Sequence, residues 1–128
     1  MTAPADEQPT IRVTAMPADA NFYGDIFGGW LVGLMDLAAS SVASRHSGGR
    51  AVTAAMDAVS FLYPVRPGDE VSVYARLISV GRSSMRIVVE TWQRDRDGES
   101  TAKVTQASFT YVAVTADGKP RPVGGAAQ

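Results

Sequence analysis

The sequence predicts an α+β domain in which one long helix is covered by a five-stranded, mostly antiparallel sheet. Three observations carry that expectation. One stretch, about Ile26 to about His46, has helical punctuation at both ends; the segments after it alternate like strands; and the links between those segments are short turns rich in glycine or proline. At 128 residues and 45% hydrophobic side chains, the chain fits a single domain with one core.

Residues 1–9 are small, polar and proline-containing, and are expected to form a disordered lead-in to a domain spanning 10–116. Ile11 to Ala15 reads as a short strand ending at Met16-Pro17, where Pro17 has no N–H for a ladder and disfavours helix at Met16. Met16 to Phe22 is then a surface connection. Gly24-Asp25 turns the chain into the helix, with Asp25 as the expected N-cap and Arg45, His46 and the Ser47-Gly48-Gly49 breaker at the other end. At 1.5 Å per residue this helix would be roughly 30 Å long.

Four strands are expected after it. Ala51 to Leu62 contains Val52, Val59 and Phe61 and stops at a turn with two prolines, Pro64 and Pro67. Glu70 to Val80 alternates Val71, Val73, Ala75 and Leu77 with Ser72, Tyr74 and Arg76. Gly81-Arg82-Ser83 leads into a strand with Met85, Ile87 and Val89 on one face, running to Trp92. Asp95 to Glu99 makes a second turn, and the last strand covers about Thr101 to Val114. Asp117-Gly118 opens a C-terminal tail over 117–128.

Composition excludes several chemistries. There is no cysteine, so disulfides, thiolate nucleophiles and zinc-thiolate sites are out, and one histidine, His46, leaves no multi-histidine metal site within a chain. Net charge is -1, without blocks of like charge, which disfavours non-specific nucleic-acid binding. The N-terminal residues lack the basic start and apolar run of a secretory signal, and no segment is long and apolar enough to span a membrane, so a cytoplasmic protein is expected.

The helix carries the functional signal. On a helical wheel Leu31, Leu34, Met35, Ala38 and Val42 form the expected sheet-facing stripe. Opposite them Asp36 stands among Val32, Gly33, Ala39, Ser40 and Ala43, a small and mainly apolar face where a surface helix should be charged. One sheet covers one side only, so a second copy of the chain is the simplest cover, and an obligate dimer is expected with the Asp36 face in or beside the interface. An acid among apolar side chains is costly unless paired, protonated or used. Gly28-Gly29 lie in the first turn, where N–H groups lack intrahelical acceptors and could polarise a carbonyl or hold an anion. Asp36 is about 12 Å further along the same helix. If the two act on one atom, they come from different chains.

Asn21, Gly24-Asp25-Ile26-Phe27-Gly28-Gly29-Trp30, Met35-Asp36, Val52-Thr53, Phe61-Leu62-Tyr63-Pro64-Val65 and Gly68-Asp69 together resemble the hotdog-fold acyl-CoA thioesterases, specifically the YciA-type and cytosolic acyl-CoA hydrolases. The match runs from roughly Ala15 to Val114. The resemblance implies a hotdog: a five-stranded antiparallel sheet wrapped around one long central helix, paired into dimers and often assembled as a trimer of dimers. It implies hydrolysis of short- to medium-chain, or broader, acyl-CoA to free acid and CoA, with CoA as part of the substrate and no cofactor. It further implies that the thioester oxygen sits on the Gly28-Gly29 turn, with Asn21 nearby, and that Asp36 of the other chain is general base or nucleophile. The resemblance also implies that Arg82, Ser83 and Ser84 fall near the CoA phosphates, with Arg50, Arg66, Lys119 and Arg121 as weaker candidates, and that Phe27 and Trp30 line the acyl tunnel.

Plainer roles stand beside these. Asn21 alone can make an Asx-turn, Asp36 can be a hydrogen-bonded structural acid, and Arg82 can be a solvated hairpin residue; Phe27 and Trp30 can be core, and His46 a favourable charge at the helix end. Two other functions share the fold: a non-catalytic acyl-CoA-binding sensor, and a dehydratase or hydratase, which relies on a histidine that the loop here lacks.

Overall fold

The computed structural model describes residues 3–4 and 6–124; of the two expected tails, residues 1, 2, 5 and 125–128 lie outside the described residues. Five strands and one long helix follow each other as β1 (Ile11–Thr14), α1 (Gly28–Ser47), β2 (Ala51–Phe61), β3 (Glu70–Val80), β4 (Ser84–Arg94) and β5 (Thr101–Ala113). A single 3₁₀ turn, Pro17–Asp19, lies between β1 and α1. All pairings are antiparallel and the order across the sheet is β1-β3-β4-β5-β2. The sheet curls around α1, which touches β2, β3, β4 and β5. This is the α+β hotdog that the resemblance implies.

The alternation in β3, β4 and β5 sends Val71, Val73, Met85, Ile87, Val89, Phe109 and Tyr111 inward onto α1, where Leu31, Met35 and Ala38 complete the core. Two expectations need correction. Asp25 is not the N-cap: the residue before α1 is Phe27, without a side-chain cap. Asn21 Oδ1 accepts from the N–H groups of Tyr23 (2.8 Å) and Asp25 (3.2 Å), closing residues 21–25 into an Asx-turn. The chain leaves that turn extended, with Ile26 N–H donating to Val65 O at 2.8 Å, so helix begins only at Gly28. At the other end Gly48 takes the left-handed cap, φ 69°.

The second correction concerns the helix faces. Ala39 and Ala43 are fully buried against the sheet, since the curved sheet covers a wide arc and small side chains let it come close. The open face is instead Gly29, Gly33, Leu37, Ser41 and Ser44, with Asp36 at its margin. Like the face first expected, it has no charged residue besides Asp36 until Arg45.

Sheet edges differ sharply. β1 is four residues long, whereas β2 has eleven, and every β2 residue after Ala51 is exposed, among them Val52, Met56, Val59 and Phe61. β2 also carries two irregularities against β5, between Thr53 and Ala55 and between Asp57 and Ser60, with Ala58 at φ 53°. A long, apolar, uncovered edge is a template for another strand.

Candidate active site

Asp36 lies midway along α1, facing the start of β2 and the end of β5. Its Oδ1 accepts from Thr53 Oγ1 at 2.8 Å and from the Tyr111 hydroxyl, which also points at the Asp36 carbonyl oxygen, 2.8 Å away. Thr53 and Tyr111 face each other in the β2–β5 register, and Tyr111 pairs with Met85 of β4, so one row of the sheet supports the carboxylate. Among the described residues Oδ2 receives no hydrogen bond, leaving one oxygen fixed and one available. Burial, and then donation to Asp36, pushes the Tyr111 phenol up to about 12, so it is a proton donor throughout the neutral range. The surface here is a shallow depression walled by Asp36, Leu37, Ser40, Val52, Thr53 and Tyr111.

The start of α1 forms a second half-site. N–H groups of Trp30 and Leu31 turn back onto Phe27 O at 3.1 and 3.4 Å. Those of Gly28 and Gly29 have no acceptor among the described residues. A Cβ on Gly28 would stand 3.1 Å from the Phe61 ring, so glycine is what lets the aromatic close over the turn, while Gly29 opens on empty space. Beside them is a cleft of about 330 Å³ lined by Ile26, Gly28, Leu31, Phe61, Leu62 and Tyr63, with Pro64 and Val65. Phe27 and Trp30, expected as tunnel residues, are not in that lining: Phe27 is half exposed and Trp30 packs against the core. Asn21 sits in the preceding loop with its carbonyl oxygen already used by the Asx-turn, so only its NH₂ group remains to donate.

The two half-sites do not meet within one chain. Asp36 is tied to the first residues of β2, Gly28 to its last, Phe61. Arg82, Ser83 and Ser84 lie at the Asp36 end, because Ser84 pairs with Val112, one step from the Tyr111 row. Arg82 is exposed and its guanidinium has no partner among the described residues. Of the weaker candidates, Arg50 and Lys119 share that end, Arg121 is buried, and Arg66 lines a separate polar cleft of about 630 Å³ with Arg96 at the opposite end.

Tyr111 is absent from the sequence-based candidates, and Phe61 and Thr53 appear there only as part of the resemblance, without a role. Tyr111 had a signal: it falls on the inward face of β5 between Phe109 and Ala113, and a buried tyrosine needs a partner for its hydroxyl. No cluster of three or more metal-ligating side chains is found among the described residues. No helix among them is long and apolar enough to cross a membrane.

The family profile of the thioesterase superfamily matches residues 23–100. An uncharacterised acyl-CoA thioester hydrolase of Zymomonas mobilis is 52% identical over 118 residues, 92% of this chain and 78% of that protein. The acyl-CoA thioester hydrolase YciA of Salmonella typhimurium is 45% identical over 116 residues, 88% of this chain and 87% of that one. Among solved structures, a hexameric thioesterase from Yersinia pestis superposes with a TM-score of 0.87 at 44% identity, covering 93% of this chain and 97% of the other.

Proposed function

The chain belongs to the thioesterase superfamily, and from that premise we propose that it hydrolyses acyl-CoA thioesters to the free acid and CoA at sites shared between two subunits. The observation that carries this reading is the pair of half-sites at opposite ends of one exposed edge strand. Pairing β2 antiparallel with a second copy, about the strand's midpoint, lays the Thr53 end of one chain beside the Phe61 end of the other. Asp36 of one subunit then faces the free N–H groups of Gly28 and Gly29 in its neighbour. The same pairing covers the apolar edge and brings the small, uncharged faces of two α1 helices together. A hexamer built as a trimer of such dimers fits the assembly of the Yersinia pestis relative.

The chemistry needs only these groups. The thioester carbonyl oxygen lies on the Gly28 and Gly29 N–H groups, which stabilise the negative charge that develops there. Asp36 Oδ2 takes a proton from water as the water oxygen attacks the carbonyl carbon. The tetrahedral intermediate collapses, the C–S bond breaks, and the proton held by Asp36 passes to the departing thiolate. Water is consumed, acid and thiol are released, and no cofactor takes part. At about 330 Å³ the cleft beside Gly28 is at the small end of ligand sites, which favours short to medium acyl chains. Arg82, Ser83 and Ser84 meet the CoA phosphates at the Asp36 end. The absence of cysteine fits work in the reducing cytoplasm.

The test is thiol release from acetyl-, hexanoyl-, palmitoyl- and aromatic CoA esters, alongside a binding assay, for wild type and Asp36→Asn. Turnover in the wild type and its loss by about 10²- to 10⁴-fold in the variant support the reading. Binding without release in the wild type marks a sensor and refutes it.

A further inference from the structure

Arg121 is 4% exposed, and none of the ion pairs found among the described residues includes it. A buried guanidinium without a carboxylate persists only where its donors are satisfied. Here carbonyls do so: Nε donates to Val114 O at 3.0 Å, Nη1 to Ser47 O at 3.2 Å and Nη2 to Arg50 O at 3.3 Å. One side chain thus gathers the last residue of α1, the residue leading into β2 and the residue leaving β5. The segment after residue 116, expected as a plain tail, turns back through a bridge between Val114 and Pro120 to make this possible.

The strap continues to the β3–β4 hairpin. Arg121 N–H donates to Ala113 O at 2.9 Å, and Val123, 5% exposed, donates its N–H to Arg82 O at 2.8 Å. Ala113 N–H in turn donates to Ser83 O at 2.8 Å. The backbones of Arg82 and Ser83 are therefore held by β5 and by the strap, while the Arg82 guanidinium stays free. If the strap served stability alone, an apolar side chain at position 121 would cost less desolvation than a buried cation. A cation there also adds positive potential to an end that carries Arg50, Arg82 and Lys119 beside the acids Asp36 and Asp117.

We propose that Arg121 is a positioning residue for CoA recognition: it pins residues 121–123, and the Val123 N–H fixes the backbone from which Arg82 reaches a phosphate. This rests on the reading of Arg82, Ser83 and Ser84 as the CoA end of the site.

The experiment compares kcat/KM for an acyl-CoA with that for the same acyl group on pantetheine, which lacks the nucleotide and its phosphates. The variants are Arg82→Ala, Val123→Pro, which removes the N–H that holds Arg82, and Arg121→Met. All three are expected to lower the acyl-CoA to acyl-pantetheine ratio by about tenfold, the size of one lost ordered charge contact, through KM. A merely structural strap lowers both substrates alike and leaves the ratio unchanged, which overturns the proposal. Should Arg121→Met not fold, Val123→Pro decides alone. A reduced ratio in Arg82→Ala with no change in Val123→Pro rejects the positioning role and keeps the CoA end. An unchanged ratio in Arg82→Ala rejects the CoA end itself, and the proposal with it.

Discussion

Thr53 Oγ1 donates to Asp36 Oδ1 across 2.8 Å, fastening the carboxylate of the central helix to β2, the long edge strand that pairs with β5 on one side and has no neighbour on the other among the described residues. The position of the acid is therefore set by the same element that would carry a partner subunit. Tyr111 holds the same oxygen from inside the sheet.

Thr53→Ala and Tyr111→Phe each leave Asp36 with one of its two side-chain donors. Displacement of a catalytic base costs up to about 10²-fold, so each variant should lower kcat by roughly ten- to a hundredfold with little change in KM. Steady-state thiol release measures this. Unchanged kcat in both would mean that Oδ1 is not held for catalysis.

Tyr111 also predicts an alkaline limit to stability. In the unfolded chain a tyrosine ionises near 10, whereas in the folded protein burial and Asp36 keep this proton on until about 12. Between those values the folded state binds more protons than the unfolded one, so stability falls as pH rises through that window and is complete below it. The two-unit difference is worth roughly 2 to 3 kcal/mol. Urea unfolding at pH 8 and pH 11 should show the wild type losing more stability than Tyr111→Phe; equal losses would remove Tyr111 as the cause.

Met56, half exposed in the middle of β2, is tolerant of charge in an isolated chain and intolerant of it in a β2–β2 interface. Met56→Lys should therefore keep its circular dichroism, sediment as a smaller species and lose thioesterase activity. Unchanged sedimentation would exclude β2 as the contact.

The fold was legible because hydrophobic alternation in β3, β4 and β5 and the glycine stop at Gly48 are local signals. The helix start was not, because the Asx-turn at Asn21 captures the Asp25 N–H and delays the helix to Gly28. A helical wheel treats its cover as flat and puts Ala39 and Ala43 away from the sheet, whereas the sheet curves far enough to bury both. At the site, the first-turn glycines Gly28 and Gly29 and Asp36 stand out as local exceptions to helix patterning. Their separation along one helix carried the two-subunit reading. Tyr111 supports Asp36 from 75 residues away, and Arg121 reaches back 74 residues to Ser47; the alternation of β5 marks Tyr111 as buried, but which residue lies opposite at that range leaves no local trace.

The division of the site between chains is tested most directly by mixing two defects. Asp36→Asn removes the base, and Gly29→Pro removes one free N–H in a helix first turn where proline is tolerated and a side chain meets open space. Each variant alone should be nearly inactive. Co-expressed and purified through two different tags, mixed assemblies should regain on the order of a quarter to a half of wild-type activity, because one site in each mixed dimer combines an intact Asp36 with an intact Gly28-Gly29 turn. Mixed assemblies no more active than either parent would show that acid and turn serve the same chain, and would contradict the account.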